Sequence, residues 1–277
     1  MRNTAKITTA VLAAGALTLG LSACGSDKDS TASDTSGPLI VAASPVPHAE
    51  ILNFIKKNLA KKAGLDLEVK EFQDYIVPNT ATEDGSVDAN YFQNQPYLDD
   101  FNNKRGTHIV PVVTVHLEPL GLYSHKVKSA DALKSGATVA VPNDAVNEAR
   151  ALKLLASKGL ITLKDGAGSE ATPRDISKNP KNLKFKEVEA AQTPRSLDDV
   201  DAAVINGNYA ISSGLKPAED ALFLESATNN PYGNFLAVKK GNENDPRVKK
   251  LAKLLTSPEV KKFIEDKYAG SVIPSFK

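Results

Sequence analysis

The sequence predicts an α/β protein with more than one sheet, and three observations carry that prediction. Short apolar, β-branched runs alternate with amphipathic helical segments from residue 39 to the end of the chain. The chain has 277 residues, enough to bury one large core or two smaller ones, and this length favours two sheets over one. It has one cysteine, so no disulfide can form within it and core packing must hold the fold.

The elements follow in order. Leu39-Ile40-Val41-Ala42-Ala43 is a continuous apolar run of the kind found in a buried parallel strand. Ile51, Leu52, Ile55 and Leu59 share one helical face, with Lys56, Lys57 and Lys61 off it and Gly64 at the C′ position. Leu65, Leu67 and Val69 alternate with Asp66, Glu68 and Lys70 as a half-buried strand. Ile109 to Val115 and Ala137 to Val141 read as strands. Val146 to Lys158 reads as a helix with Ala149, Leu152, Leu155 and Ala156 on its core face. Leu183 to Val188, Ala202 to Ile205, Leu222 to Leu224 and Phe235 to Val238 are further strands. Val248 to Leu255 and Pro258 to Tyr268 close the chain as two helices. The alternation predicts largely parallel sheets.

The N-terminus carries a different signal. Arg2 and Lys6 precede an apolar, small-residue run from Ile7 to Leu21, too short to span a bilayer, and Leu21-Ser22-Ala23-Cys24 closes it. Positive, apolar, small is the pattern of a secretory signal peptide. The last four residues resemble the bacterial lipobox, in which the cysteine thiol is acylated (palmitate being one such chain) after cleavage just before it. The expectation is a signal peptide over 1–23, lipidated Cys24, and a flexible tether over 24–38, where GSDKDSTASDTSGP has no large apolar residue. The protein would then sit on the extracytoplasmic face of the cell membrane.

Charge excludes other classes. Lys+Arg 34 against Asp+Glu 33 is nearly balanced, so no footprint for nucleic acid is expected. No basic patch for lipid headgroups is expected either, and attachment would rest on the lipid alone. No G-x-S-x-G, G-x-x-x-x-G-K-[ST] or G-x-G-x-x-G occurs, which removes support for a hydrolase elbow or a nucleotide site. The four histidines, His48, His108, His116 and His125, form no metal-ligand spacing, and no metal or cofactor is expected.

Two segments stand out. Asp88 to Leu98 (DANYFQNQPYL) holds three aromatics and five amides or prolines in eleven residues, and Tyr75 upstream could extend an aromatic wall. Such faces attract a thioether sulfur by about 0.3–1.5 kcal/mol, although aromatics in such a run are more often core. Val141 to Arg150 (VPNDAVNEAR) reads as strand, loop and helix start, where Arg150 could grip a carboxylate or pair on the surface with Glu148 or Asp144.

These segments recur in order with D-Y-I-V-P-N (74–79), Y-S (123–124), G-L-I-T-L-K-D-G (159–166), N-P-K-N-L (179–183), P-R-S-L-D-D (194–199), A-V-I-N (203–206) and P-Y-G-N (231–234). The set strongly resembles the NlpA/MetQ lipoproteins, the substrate-binding components of methionine ABC importers, from Leu39 to near the C-terminus. The resemblance implies a two-lobed, type II periplasmic-binding-protein-like α/β fold with two hinge crossings, near Glu118–Gly121 and Asn229–Tyr232. Lobe one would hold 39–118 and 233–277, lobe two 119–232. It implies no catalysis and no cofactor. It implies capture of methionine or a related amino acid or small peptide, for delivery to a permease driven by a separate ATPase. By the same resemblance Tyr75, Phe92 and Tyr97 would enclose the ligand side chain and Arg150 would bind its α-carboxylate. Asn206 and Asn234 would hold its amino and carboxylate groups, and Asn147, one helical turn from Arg150, would face the same space. Glu118 could add a carboxylate for the ammonium. Asn94 stands where the motif usually has histidine, which bears on side-chain specificity. The alternative reading is a surface lipoprotein acting as an interaction protein, with a vestigial cleft.

Overall fold

The computed structural model describes residues 37–276. Cys24, the signal peptide and nearly all of the tether lie outside the described residues. Within these, the chain folds around two large sheets and one small hairpin-like sheet.

The first sheet takes β1 (Leu39–Ala43), β2 (Leu67–Glu71), β3 (Ala89–Asn94), β4 (Ile109–Leu117), and, from the end of the chain, β12 (Asn234–Lys239) and β13 (Ile273–Pro274). Its order is β13-β4-β12-β3-β1-β2. The second takes β5 (Gly121–Tyr123), β6 (Thr138–Pro142), β9 (Lys184–Val188), β10 (Ala202–Ile205) and β11 (Phe223–Leu224), in the order β11-β5-β10-β6-β9. The short pair β7 (Thr162–Leu163) and β8 (Ile176–Lys178) stands apart. The chain therefore leaves the first sheet after Leu117 and enters the second at Gly121. It leaves the second after Leu224 and re-enters the first at Asn234.

The expected parallel character holds for half of each sheet only. β1 runs parallel to β2 and β3, and β6 parallel to β9 and β10. β12 pairs antiparallel with both β3 and β4, and β5 antiparallel with β10 and β11. The reason is the route of the chain: strands that follow a crossing between sheets return from the opposite end, whereas strands joined by a helix within one sheet run parallel.

The strongly periodic segments fold as their pattern dictates. Ile51, Leu52 and Ile55 of α1 (Glu50–Ile55) are fully buried in the first sheet's core, and Gly64 beyond the helix end takes φ +61, a left-handed conformation that glycine adopts without strain. α4 (Ala145–Ser157) buries Ala151, Leu152, Leu154 and Leu155 in the second sheet's core, and Ala149, buried too, stands outside that cluster; Asp144 caps the first turn through Asn147 N–H at 3.0 Å. α7 (Pro246–Leu255) and α8 (Pro258–Tyr268) pack Val248, Leu251, Leu255, Val260 and Ile264 into the first sheet's core.

Four elements carry no clear sequence signature. α2 (Val77–Asp84) and α3 (Gln95–Arg105) are short and polar, and β3 lies wholly buried within the aromatic-amide segment. α5 (Gly207–Ser212), the fourth, leaves the second sheet yet packs on Pro45–Ala49, placing Ile211 against the first sheet's core. α6 (Pro217–Asp220) follows, its Ala218 N–H bonded to Ser271 Oγ at 3.2 Å.

Candidate functional site

One narrow cavity of about 360 Å³, its open mouth included, lies between the two sheets. It gathers residues from the ends of several elements: Phe92 and Asn94 close β3, Asn206 follows β10, and Asn234 opens β12. All eight residues singled out in the sequence line it: Tyr75, Phe92, Asn94, Tyr97, Asn147, Arg150, Asn206 and Asn234. Gln93, Glu118, Gly207 and Asn208 line it as well.

One wall is aromatic. Tyr75 stands 5.9 Å from Phe92 and 5.7 Å from Tyr97 between ring centroids, and Phe92 stands 6.1 Å from Tyr97. Tyr97 Oη donates to the Tyr75 carbonyl at 3.1 Å, which fixes the two rings together. Asn94 also supports the fold, because its Oδ1 accepts from Tyr97 N–H at 3.2 Å and caps α3. Behind this wall a buried amide network of Asn79, Asn90 and Gln93 locks β3 to α2.

The opposite wall is polar. Arg150 is buried, yet its partner is neither Glu148 nor Asp144. Its Nε and Nη2 donate to Glu225 at 3.0 and 2.6 Å, its Nη2 also to the Glu118 carbonyl at 3.1 Å, and its guanidinium lies 4.0 Å from the Tyr232 ring centroid. The bidentate side of the fork is thus occupied by the protein's own carboxylate. Asn147 accepts from Asn206 Nδ2 at 2.9 Å while donating to Asp144. Asn206 Oδ1 is buried and has no hydrogen-bond donor among the described residues.

Glu118 and Asn234, which line the cavity, are held from behind by a cluster that spacing could not reveal. His48 Nε2 lies 3.3 Å from Glu118 Oε1 and 3.1 Å from Asn234 Oδ1, and His116 Nε2 lies 2.7 Å from the same Glu118 oxygen. Tyr91 Oη bonds His116 Nδ1. Burial drives His48 down to about 4 and His116 to about 3, and pushes the Glu118 carboxyl up. One ligand atom from each of His48, His116 and Glu118 lies within 4.8 Å of the others, a set with the chemistry to hold a metal ion; both nitrogens of His116 and Nε2 of His48 are hydrogen-bonded, whereas His48 Nδ1 is buried with no partner among the described residues. The other two histidines lie elsewhere: His108 is exposed beside Glu83, and His125 is exposed beside Asp198.

Contacts span the cavity mouth. Tyr75 Oη donates to Asn208 Oδ1 at 2.5 Å, Tyr209 Oη to the Gln73 carbonyl at 3.0 Å, and the two tyrosine rings stand 4.9 Å apart. Gln93, Asn208, Tyr209, Glu225 and Tyr232 escaped the sequence reading. Asn208 and Tyr232 lay within reach of it, since N-G-N follows A-V-I and Tyr232 belongs to P-Y-G-N.

Among the described residues no helix is long and apolar enough to cross a membrane. The profile of the NlpA lipoprotein family matches residues 39–276. A methionine-binding lipoprotein, MetQ, from Bacillus subtilis is 43% identical over 258 residues, covering 92% of this chain and 93% of the relative. A nutrient-binding protein from Burkholderia cenocepacia, solved bound to methionine, superposes with a TM-score of 0.83 at 48% identity, covering 86% of this chain and all of that one (100%). A periplasmic substrate-binding protein of an ABC transporter from Coxiella burnetii superposes at 0.82 with 44% identity, covering 86% of this chain and 100% of that one.

Proposed function

The chain belongs to the NlpA lipoprotein family, and from that premise we propose that it is the substrate-binding lipoprotein of an ABC importer. It captures methionine or a closely related amino acid or small peptide between two lobes. It hands that ligand to a membrane permease coupled to a separate ATPase, and it performs no catalysis. It works on the extracytoplasmic face, held there by a lipid on Cys24.

The observation that carries this reading is the division of one cavity into an aromatic wall and a polar wall with an unfilled acceptor. A buried acceptor without a donor costs about 1–3 kcal/mol, and Asn206 Oδ1 is such an acceptor. A ligand ammonium would satisfy it, with the Glu118 carboxylate close by for its charge. Arg150 Nη1, the guanidinium nitrogen with no partner among the described residues, would take the ligand carboxylate, assisted by the amides of Asn147 and Asn234. The rings of Tyr75, Phe92 and Tyr97 would enclose a thioether side chain. Residues 39–118 with 233–277 would form one lobe and 119–232 the other, with the segments around Glu118–Gly121 and Asn229–Tyr232 bending as the cleft opens and closes.

Native mass spectrometry of freshly purified protein, followed by calorimetry with L-methionine, D-methionine, methionine dipeptides and other amino acids, tests the reading. The expected result is a bound amino-acid-sized mass and saturable one-to-one heats for a methionine compound. Absence of both across the panel would leave an interaction protein with a vestigial cleft.

A further inference from the structure

The overall charge balance hides a local imbalance. Residues 56–63 (KKNLAKKA) and 247–253 (RVKKLAK) together hold eight basic residues and no acidic one. The structure lays these stretches side by side, where α1 and its continuation to Ala60 meet α7. Arg247 is neutralised by Asp88 and Asp245, but the seven lysines are exposed, and none joins an ion pair among the described residues. Lys250 Nζ donates to the Gly64 carbonyl at 2.8 Å and ties the two stretches together. Between them runs a groove floored by Leu59, Ala63 and Leu254 and rimmed by Lys62, Lys250 and Lys253, with Glu259 as its single acid.

The position of this face names its partner. The described chain enters here: Arg247 Nη1 donates to the Pro38 carbonyl at 3.0 Å, and Leu39 N–H to the Asp66 carbonyl at 2.8 Å. This is the N-terminal end of β1 and β2, whereas Asn94, at the C-terminal end of the parallel β3, lines the cavity. The groove and the cavity thus lie at opposite ends of the first sheet. Only the short stretch from Cys24 to Gly37 separates this end from the anchoring residue. Exposed lysines rimming an apolar floor suit a lipid headgroup layer.

We propose that this face docks on the anionic surface of the bilayer. It would park the protein with its cavity mouth turned away from the membrane. The inference rests on the reading of Cys24 as a lipid anchor, and it adds a second contact to an attachment expected to depend on the lipid alone. Exposed charges are screened within about 10 Å at 0.1 M salt, so the contact is weak and reversible enough to release the protein toward its permease.

Full-length lipidated protein, reconstituted in vesicles of phosphatidylcholine alone or mixed with phosphatidylglycerol, tests this. A water-soluble amine-acylating reagent is applied, and each lysine is read by mass spectrometry. Lys62, Lys250 and Lys253 should be protected several-fold on the anionic vesicles relative to the neutral ones, and the protection should vanish at high salt. Lys158 and Lys184, exposed on the second sheet's side, should react equally on both. A Lys62→Glu/Lys250→Glu/Lys253→Glu variant should bind methionine as before yet lose the difference in reactivity of its remaining α1 and α7 lysines. Equal reactivity on both vesicles for an anchored protein overturns the proposal. So does protection that tracks protein density on neutral vesicles, which would mark a contact between copies. A protein without an acyl group on Cys24 would fail earlier, at the anchor reading itself, and take the proposal with it.

Discussion

Glu225 holds Arg150 side-on, with Nε 3.0 Å from Oε1 and Nη2 2.6 Å from Oε2. The two residues belong to different parts of the architecture. Arg150 projects from α4, whereas Glu225 sits just past β11, at the start of the segment returning to the first sheet. Glu225 is also paired with the other connecting segment, since its N–H donates to the Leu120 carbonyl at 2.8 Å. The guanidinium is therefore fixed by both connections between the sheets, and its orientation is set before any ligand arrives.

Arg150→Ala should weaken methionine binding by about 2–5 kcal/mol, because it removes one side of a buried charge contact. It should also lower stability, since Glu225 is left without its counter-charge. Arg150→Lys should recover little of either, because a point charge cannot replace a held planar fork. Calorimetry and denaturant melts read the two effects separately. Unchanged affinity in the alanine variant would remove Arg150 from the binding site.

Asn94 should prove separable into a cap and a cavity wall. Asn94→Ala should cost about 1 kcal/mol of stability through the lost cap on α3, measured by urea melts. Asn94→Asp should keep the cap, since a carboxylate also accepts from Tyr97 N–H, while a negative charge in the cavity lowers affinity for a ligand carboxylate. If both variants keep wild-type affinity and ligand preference, Asn94 acts only as a cap.

Gly207 permits a close approach that no other residue allows. A Cβ there would lie 2.7 Å from Glu118 Cβ and 3.1 Å from Glu118 Oε2. Glu118 is buried among His48, His116 and the start of α5 and has nowhere to move. Gly207→Ala should destabilise the fold by about 1–3 kcal/mol and reduce methionine affinity by displacing Glu118. A variant with wild-type melting and binding would show that the contact yields freely.

Glu148 should make the protein less stable as pH rises. Burial, with the charge of Glu187 next in effect, pushes its carboxyl up to about 7, and its Oε1 has no hydrogen-bond partner among the described residues. A folded-state value above the ordinary 4.5 means the contribution is present below pH 4.5 and is lost as pH rises through 7. Glu148→Gln should therefore be more stable than the wild type at pH 8, a gain that shrinks toward zero as pH falls to 4.5. Urea melts across this range decide it; a difference that does not depend on pH would mean that Glu148 is ionised as freely in the fold as outside it.

The elements legible in the sequence are those whose side chains report their own burial. α4, α7 and α8 repeat their apolar residues at helical spacing because one face of each meets a core. β3 and α3 were not legible as elements because their residues serve a cavity. Phe92, Gln93 and Asn94 are buried for packing, networking and capping at once, and no period survives that mixture.

By itself the sequence determined the α/β class, the order of the main elements and the family to which the chain belongs. It also determined, through motif likeness, eight residues that share one cavity. Only the tertiary structure decided how those residues are employed. It turned Arg150 toward Glu225 across 75 positions, and brought His48 and His116 onto Glu118. It ran half of each sheet antiparallel and gathered into one face the lysines that a near-zero net charge had concealed. The reason is physical. Periodicity records whether a side chain meets core or water, and that is a local property. Which charges meet depends on where the chain crosses between sheets, and a net charge sums over positions without recording where they lie.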